Sequence, residues 1–425
     1  MASCKATDAV FHVELPPAGK KLRELFYCSH MIHSHIAHFY ALAAPDFVMG
    51  PTSDPAQRNI LGVISKVGLQ IGGEVIKHRA YAQSIQASIA GKATHPVGGI
   101  PGGMSKPITE EQRKDFEIKA KSCVEFSKFS LKLFNDVVLS NKEYLNLITG
   151  NIYTMKSYYM GLVDSKNMVN FYDGDIRVVD PDGKEVAKFK PSQYLEYVAE
   201  HTEPWSYLKF PFLKKVGWKG FTEGKESGIY RVSPLARLNA ADGMATPLAQ
   251  AEYDKMYKTL GGKPAHATLA FHWARLVELM YASERLLELC QDKEITDPKV
   301  RTIPTATPDE GVGVVEAPRG TLYHHYQTDK NGIITKANLI VATAHNYPAM
   351  QMSIKKAAQA LIQKGKAASE GLLNMVEMAF RAYDPCMACA THTLPGQMPL
   401  EIVIYNSNKE VIRRISRNLP DCDQG

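Results

Sequence analysis

No run of apolar residues in this 425-residue sequence is long enough to cross a bilayer. The longest stretches, such as residues 36–44, stop at Pro45-Asp46, far short of the ~20 residues a span needs. Walker-type phosphate loops, GxSxG and GxGxxG are all missing, so nucleotide and serine-hydrolase chemistry lose their usual supports. No dense Lys/Arg run interleaves with aromatics. The 50 basic and 44 acidic residues leave a net charge of +6 spread thinly, a poor footprint for nucleic acid. The opening residues Met1-Ala2-Ser3-Cys4-Lys5 lack the basic start and apolar core of a secretory signal, which predicts a cytoplasmic protein. Cysteine is scarce and odd in number, seven in all, which argues against a disulfide framework.

What is present is the composition of a globular protein with a sizeable core, 45% hydrophobic and 22% charged. From residue 19 to 43, Leu22, Leu25, Phe26, Ile32, Ile36, Phe39 and Ala43 step mostly by three and four. This predicts a core-facing helix that ends at Pro45. Further helices are expected from Asp54-Pro55 towards Ile89 and from Thr109-Glu110-Glu111 to Leu139, the latter with an acidic first turn that suits the helix dipole. Between them, residues 91–107 hold five Gly and three Pro, which predicts a shaped loop without regular structure. Short β-like runs between residues 153 and 230, such as 176–179 before Asp180-Pro181-Asp182-Gly183, predict a mixed α+β insertion. Helical periodicity returns at 247–260 and 264–290. Strands are expected at 312–315, 322–326 and 333–341, the last two joined by the turn Asp329-Lys330-Asn331-Gly332. Helices at 349–364 and 370–383 follow, then a β run at 400–405 ahead of Arg413, Arg414 and Arg417. The fold class expected is mainly α with smaller β parts (α+β), a long-helix bundle in one compact unit without internal repeats.

The sharpest local feature is Asp384-Pro385-Cys386-Met387-Ala388-Cys389-Ala390-Thr391-His392. Two thiols three residues apart can converge on one metal, but a lone CxxC is half of a zinc site, and no second close pair exists. Covalent haem needs CxxCH, and a thioredoxin-like motif opens a helix whereas this one closes a helix; a metal role and a pair of ordinary thiols both stay open on spacing alone. Glu316-Ala317-Pro318-Arg319-Gly320 sets an arginine at a Pro/Gly turn after an apolar strand. There it either offers a fork of donors to an anion or to a small ligand beside a metal, or is simply exposed. Of His30, His33, His35 and His38, the pair His35 and His38 shares a helix face as metal ligands do, yet without a carboxylate at helical spacing the four read better as core imidazoles. The segment Tyr230-Arg231-Val232-Ser233-Pro234-Leu235-Ala236-Arg237-Leu238-Asn239 reads by itself as a packed loop.

Taken together, these segments resemble the large subunit of NiFe hydrogenases, specifically the cytoplasmic methyl-viologen-reducing, deazaflavin-non-reducing type linked to heterodisulfide reductase. The anchors are Ile32-His33-Ser34-His35 with His38-Phe39-Tyr40, Ala44-Pro45-Asp46-Phe47, His95-Pro96, Pro101-Gly102-Gly103, Pro234 to Asn239, Glu316 to Gly320, and the terminal DPCxxCxxH. The resemblance implies an oxidoreductase that splits or forms dihydrogen at a Ni-Fe centre with CO and cyanide ligands on iron. Cys386 would be terminal on nickel and Cys389 would bridge the metals, soft thiolates suiting that pair. Arg319 would sit over the open side of the centre, Pro318 would line the pocket and Asp384 would hold Arg319 in place. Ser34 stands where many relatives carry Asp, which makes the surroundings less negative. His392 and the backbone carbonyl of Leu339 would hold a buried Mg or Fe ion. The implied partners are an iron-sulfur small subunit, heterodisulfide reductase with an electron-transfer subunit, and a maturation protease; nucleic acid and membrane are not among them. Residues 1–392 would form a single large-subunit domain, and residues 393–425 an extension that the protease removes.

One departure concerns the start. The family's N-terminal RxCGxC motif, which supplies two further thiolates, is absent, and Cys4 and Cys28 lack its spacing. The expectation is that the natural protein starts upstream of Met1. The alternatives are a zinc-stabilised binding protein and a cluster-free structural subunit, which metal content separates.

Overall fold

The computed structural model describes residues 1–363, 369–385, 400–406 and 408–417. It opens with α1 (Ala2–Val10) and α2 (Pro17–His38), the second carrying proline in its first turn, where the missing N–H costs nothing. Pro45 does not stop the chain's helical course. A π turn (Phe39–Ala43) leads into α3 (Ala44–Val48), with Pro45 at the start of the new helix, the position where proline is tolerated. The single helix expected from residue 54 is divided into α4 (Ile60–Val67) and α5 (Leu69–Ala90). Asn59 caps α4 through the amides of Leu61 and Gly62, and Gly68 at φ +97° separates the two helices.

The glycine-rich loop after α5 is not wholly irregular. Its two-residue strands β1 (Gly99–Ile100) and β2 (Gly103–Met104) pair antiparallel, and the buried Arg23 guanidinium on α2 holds them by the carbonyls of Ile100 and Gly103. Thr109 and Gln112 form a capping box at the head of α6 (Glu110–Phe134), which continues through a π turn (Asn135–Leu139) to α7 (Lys142–Thr149).

The expected insertion then adds β3 (Tyr158–Val163), β4 (Met168–Val169), β5 (Asp175–Val179), β6 (Glu185–Phe189), α8 (Tyr194–Tyr197), β7 (Val198–Thr202), β8 (Lys209–Leu213) and β9 (Tyr230–Arg231). After α9 (Pro234–Ala240), β10 (Gly243–Met244) joins β3 to β6 in the order β10-β4-β3-β5-β6, with β9 parallel to β3. The reading of residues 230–239 as a loop is corrected. They form β9 and the wholly buried α9, because Pro234 starts a helix and every residue of it is packed.

Two further helices, α10 (Pro247–Thr259) and α11 (Phe271–Gln291), lead to an antiparallel meander of β11 (Glu310–Ala317), β12 (Gly320–Thr328) and β13 (Ile334–Ile340). The chain continues with α12 (Tyr347–Leu361), α13 (Glu370–Arg381) and a separate hairpin, β14 (Leu400–Tyr405) with β15 (Val411–Arg417). The missed α1 lies across β11, where Gly313 leaves the room: a Cβ there would stand 2.2 Å from the Ala2 carbonyl oxygen.

The core is a bundle in which α11 packs against α2, α6 and α10, and α2 also packs against α5. Trp273, Leu276, Val277, Leu279 and Met280 of α11 are all but inaccessible. A helix apolar on every side belongs in the centre of a domain, yet α11 also takes Arg275, Glu278 and Glu284 inside, and those charges lead to the site.

Candidate metal centre

The turn between β11 and β12 carries Pro318 and Arg319. Gly320, at φ +134°, follows because a Cβ there would lie 2.1 Å from Val232, so only glycine lets the turn close against β9 and α9. Arg237 of α9 fixes the turn from within, donating from Nη1 to the Ala317 carbonyl at 2.8 Å and from Nη2 to the Pro318 carbonyl at 3.4 Å. Asn346 supports it further, donating to the Arg319 carbonyl at 3.4 Å while accepting from the Val232 amide at 2.9 Å.

From that turn Arg319 reaches the segment after α13. Its Nε donates to the Asp384 carbonyl at 2.8 Å and its Nη2 to Asp384 Oδ1 at 3.3 Å. Asp384 is buried and has φ +55°, the left-handed conformation that aspartate tolerates better than most residues. Two neighbouring carbonyls are held as well: Arg381 by His38 Nε2 at 2.9 Å and Ala382 by Arg275 Nη2 at 3.2 Å. Donors from α2, α11 and the β11–β12 turn therefore fix the backbone just ahead of Cys386. Asp46, the acid of Ala44-Pro45-Asp46-Phe47, anchors α13 from the other end. It accepts from Arg381 Nη1 at 2.6 Å and from Asn374 at 3.0 Å.

Beneath lies a closed ion cluster. Arg237 donates Nε and Nη2 to the two carboxylate oxygens of Glu278, each at 2.6 Å, and Nη1 to Glu316 Oε2 at 2.8 Å. All three side chains have zero exposure. Glu316 also accepts from Thr321 Oγ1 and the Leu162 amide, and His35 Nε2 donates to Glu278 at 3.0 Å. One arginine between two acids splits their affinities. Burial pushes both carboxyls up, but the bidentate guanidinium and His35 outweigh it at Glu278, which is held below the usual range, while at Glu316 burial wins.

Pro318, Arg319 and Asp384 thus stand together. Ser34 lies one turn from both His30 and His38 on the same face of α2, and Arg319 acts on the charge of both histidines. Leu339 is set apart. It pairs with His324, about 13 Å along β12 from Gly320, and its side chain is exposed. Cys386, Cys389 and His392 lie outside the described residues. Of the four α2 histidines, His35 and His38 serve the interior, His35 with its pKa pushed down to about 4 by burial and His38 stacked on His272, while His30 and His33 are half-buried.

The reading of the sequence missed Arg237, Glu278, Glu316 and Arg275 as supports of the site. The signal was present as Arg275 and Glu278 at i,i+3 in the stretch 271–282, apolar apart from them and His272, where no solvated face exists to receive them.

The model of the nickel-dependent hydrogenase family matches residues 1–57 and 74–392. This chain belongs to that family. It is 50% identical over 414 residues to an F420-non-reducing hydrogenase iron-sulfur subunit of Archaeoglobus profundus, spanning 97% of this chain and 85% of the relative. It is 40% identical to an F420-non-reducing hydrogenase subunit of Methanothermobacter thermautotrophicus, over 98% and 85% of the two chains. Among solved structures, that of an NAD+-reducing NiFe hydrogenase in its H2-reduced state superposes with a TM-score of 0.84 at 34% identity, covering 92% of this chain and 84% of the other. The chain is a NiFe hydrogenase large subunit, and its α+β fold with a long-helix core is that of the family's large subunits.

The residues of this hydrogenase subunit fit a nickel–iron centre. Such a centre is held by soft thiolates and carries negative charge. Burial pushes the thiols of Cys123 and Cys290 up to about 12 and that of Cys28 well above its ordinary value, which disfavours their thiolates. Ahead of the CxxC pair, the guanidinium of Arg319 meets Asp384, and that of Arg275 feels the charges of Asp384 and Glu278. Among the described residues no cluster of three or more His, Cys, Asp or Glu side chains is arranged to hold a metal, and no helix is long and apolar enough to cross a membrane.

Proposed function

We propose that this subunit catalyses reversible heterolytic cleavage of dihydrogen at a centre held by Cys386 and Cys389, with Arg319 poised over the open side and Pro318 lining the pocket. The observation that carries the reading is the Arg319 guanidinium, bonded to both the carbonyl and the carboxylate of Asp384 two residues before Cys386. Arg237 fixes the turn that presents it, and Asp384 holds its fork in one orientation, so its charge is in place before dihydrogen arrives. When bound, the centre supplies polarisation of dihydrogen and the redox couple that takes its electrons. The thiolate sulfur of Cys386 or Cys389 would be the group that takes the proton, and the iron of such a centre would carry CO and cyanide. With Ser34 in place of an acid, the pocket wall on the α2 side carries no charge of its own.

His392 and the Leu339 carbonyl hold the second ion, magnesium or iron. Electrons leave through an iron-sulfur small subunit, as the relatives' naming as subunits of larger hydrogenases implies, and pass from there to heterodisulfide reductase by way of an electron-transfer subunit. Residues 393–425 are an extension that a maturation protease removes after His392. In support, the described part of that extension forms its own two-stranded sheet, paired with no strand of the main body among the described residues.

The test is metal and activity together. Nickel and iron in the native complex are expected, and Cys386→Ser should lose nickel and at least 10³-fold of the hydrogen-dependent dye reduction. Full activity in that variant refutes the ligand assignment, and zinc alone in the native protein refutes the centre.

A further inference from the structure

Arg275 is a buried charge without a counter-ion of its own. It sits in α11 at zero exposure and, among the described residues, makes no ion pair. Among the described residues its guanidinium donates only to the carbonyls of Phe271 at 3.4 Å and Ala382 at 3.2 Å, and its Nε, also buried, has no partner there. The two carboxylates whose charge reaches it, Asp384 and Glu278, are engaged by Arg319 and Arg237 respectively. Arg231 shows the contrast. It too is fully buried and lacks a carboxylate, but it spreads its donors over Ser157, Thr268, Tyr159 and the carbonyls of Met155 and His266. A buried guanidinium as poorly served as Arg275 is expensive to keep unless something negative stands close by.

We propose that Arg275 is a positioning residue for the metal centre. From α11 it holds the Ala382 carbonyl at the head of the Cys386 segment, and its buried charge is the counter-charge of the thiolate-bound metals. This rests on the function proposed above. The placement supports it: the Ala382 carbonyl is four residues before Cys386 in the chain, and Arg319 and His38 hold the carbonyls on either side of it, at Asp384 and Arg381. Of these three donors only Arg275 is both fully buried and charged, since burial keeps His38 neutral and Arg319 is partly exposed. Burial brings its pKa down to about 10, still high enough to keep it charged at neutral pH.

The experiment purifies the intact hydrogenase complex carrying Arg275→Lys or Arg275→Gln. It measures nickel per chain, melting temperature and the midpoint potential of the nickel signal in electron paramagnetic resonance. Lysine keeps the charge, so nickel within twofold of native and an unshifted potential are expected. Glutamine keeps a donor for the Ala382 carbonyl without the charge, so at least a fivefold loss of nickel is expected or, where nickel is retained, a more negative potential, since adding an electron beside a missing cation is harder. Native nickel and native potential in the glutamine variant overturn the proposal. Equal losses of nickel and melting temperature in both variants overturn it too, because they assign Arg275 a packing role. If the native complex itself holds no nickel, the proposed function falls first, and on different data.

Discussion

Arg237 and Arg319 serve the same turn between β11 and β12, and they are held in opposite ways. Arg237 has zero exposure, a bidentate bond to Glu278, a third bond to Glu316 and two carbonyls of the turn itself. Arg319 keeps about a quarter of its side chain exposed (24%) and meets Asp384 through one carbonyl and one carboxylate oxygen, the latter at 3.3 Å. A guanidinium closed on every side by acids serves the fold, because its geometry is over-determined and nothing else can approach. One that stays partly exposed beside the Cys386 segment suits the contact with a substrate proposed for it. On the function proposed above, the same residue type does structural and chemical work on one turn, and burial separates the two.

The sharpest way to break this comparison is Arg237→Met. Removing the shared cation leaves Glu278 and Glu316 buried without the counter-charge they share, a loss of about 3–5 kcal/mol by the general cost of breaking a buried ion pair. The purified full chain or its complex should show that loss in a denaturant titration. A change below about 1 kcal/mol would mean that water or protonation already satisfies the two acids, and the structural reading of Arg237 would fall.

Arg319→Lys should behave in the reverse way. Lysine keeps the charge but loses the planar fork that spans the Asp384 carbonyl and carboxylate, so hydrogen-dependent turnover should drop about 10²-fold. Stability should stay within about 1 kcal/mol, as for other partly exposed pairs. A variant with activity within threefold of native would show that charge alone suffices; a large loss of stability would place Arg319 with Arg237.

Much of this fold was legible because its helices carry unmixed signals. The capping box at Thr109, the periodicity of α2 and α11 and the turn at residues 329–332 all point to what forms. The failures share a cause: local breakers were given more weight than tertiary context. Pro45 begins a helix as readily as it ends one, residues 99–104 form a hairpin because Arg23 pulls it in, and α1 has too few residues to announce itself without β11 beneath it. At the site, Arg319 and Asp384 stand out because they flank motifs with turn chemistry. Arg275 and the Arg237 cluster do not, since a charge inside an apolar helix shows its meaning only once its neighbours are known to be buried.

The smallest effect concerns His35, the neutral member of the Arg237 cluster. Burial pushes its pKa down to about 4, although its hydrogen bond to Glu278 pulls the other way. An unfolded chain binds that proton from about 6.5 downward, whereas the folded chain refuses it until about 4. The stability due to a neutral His35 is therefore fully present above about pH 6.5 and is lost as the pH falls from there towards about 4. The slope from one such group is at most about 1.4 kcal/mol per pH unit. His35→Gln keeps a donor for Glu278 and removes the titration, so the stability of native and variant chains, measured by denaturant at a series of pH values, should converge over that window. Parallel curves would show that His35 takes up its proton in the fold at an ordinary pH. Glu278 would then be bridging two cations, and the contrast between a closed cluster and an open site would weaken at its most buried point.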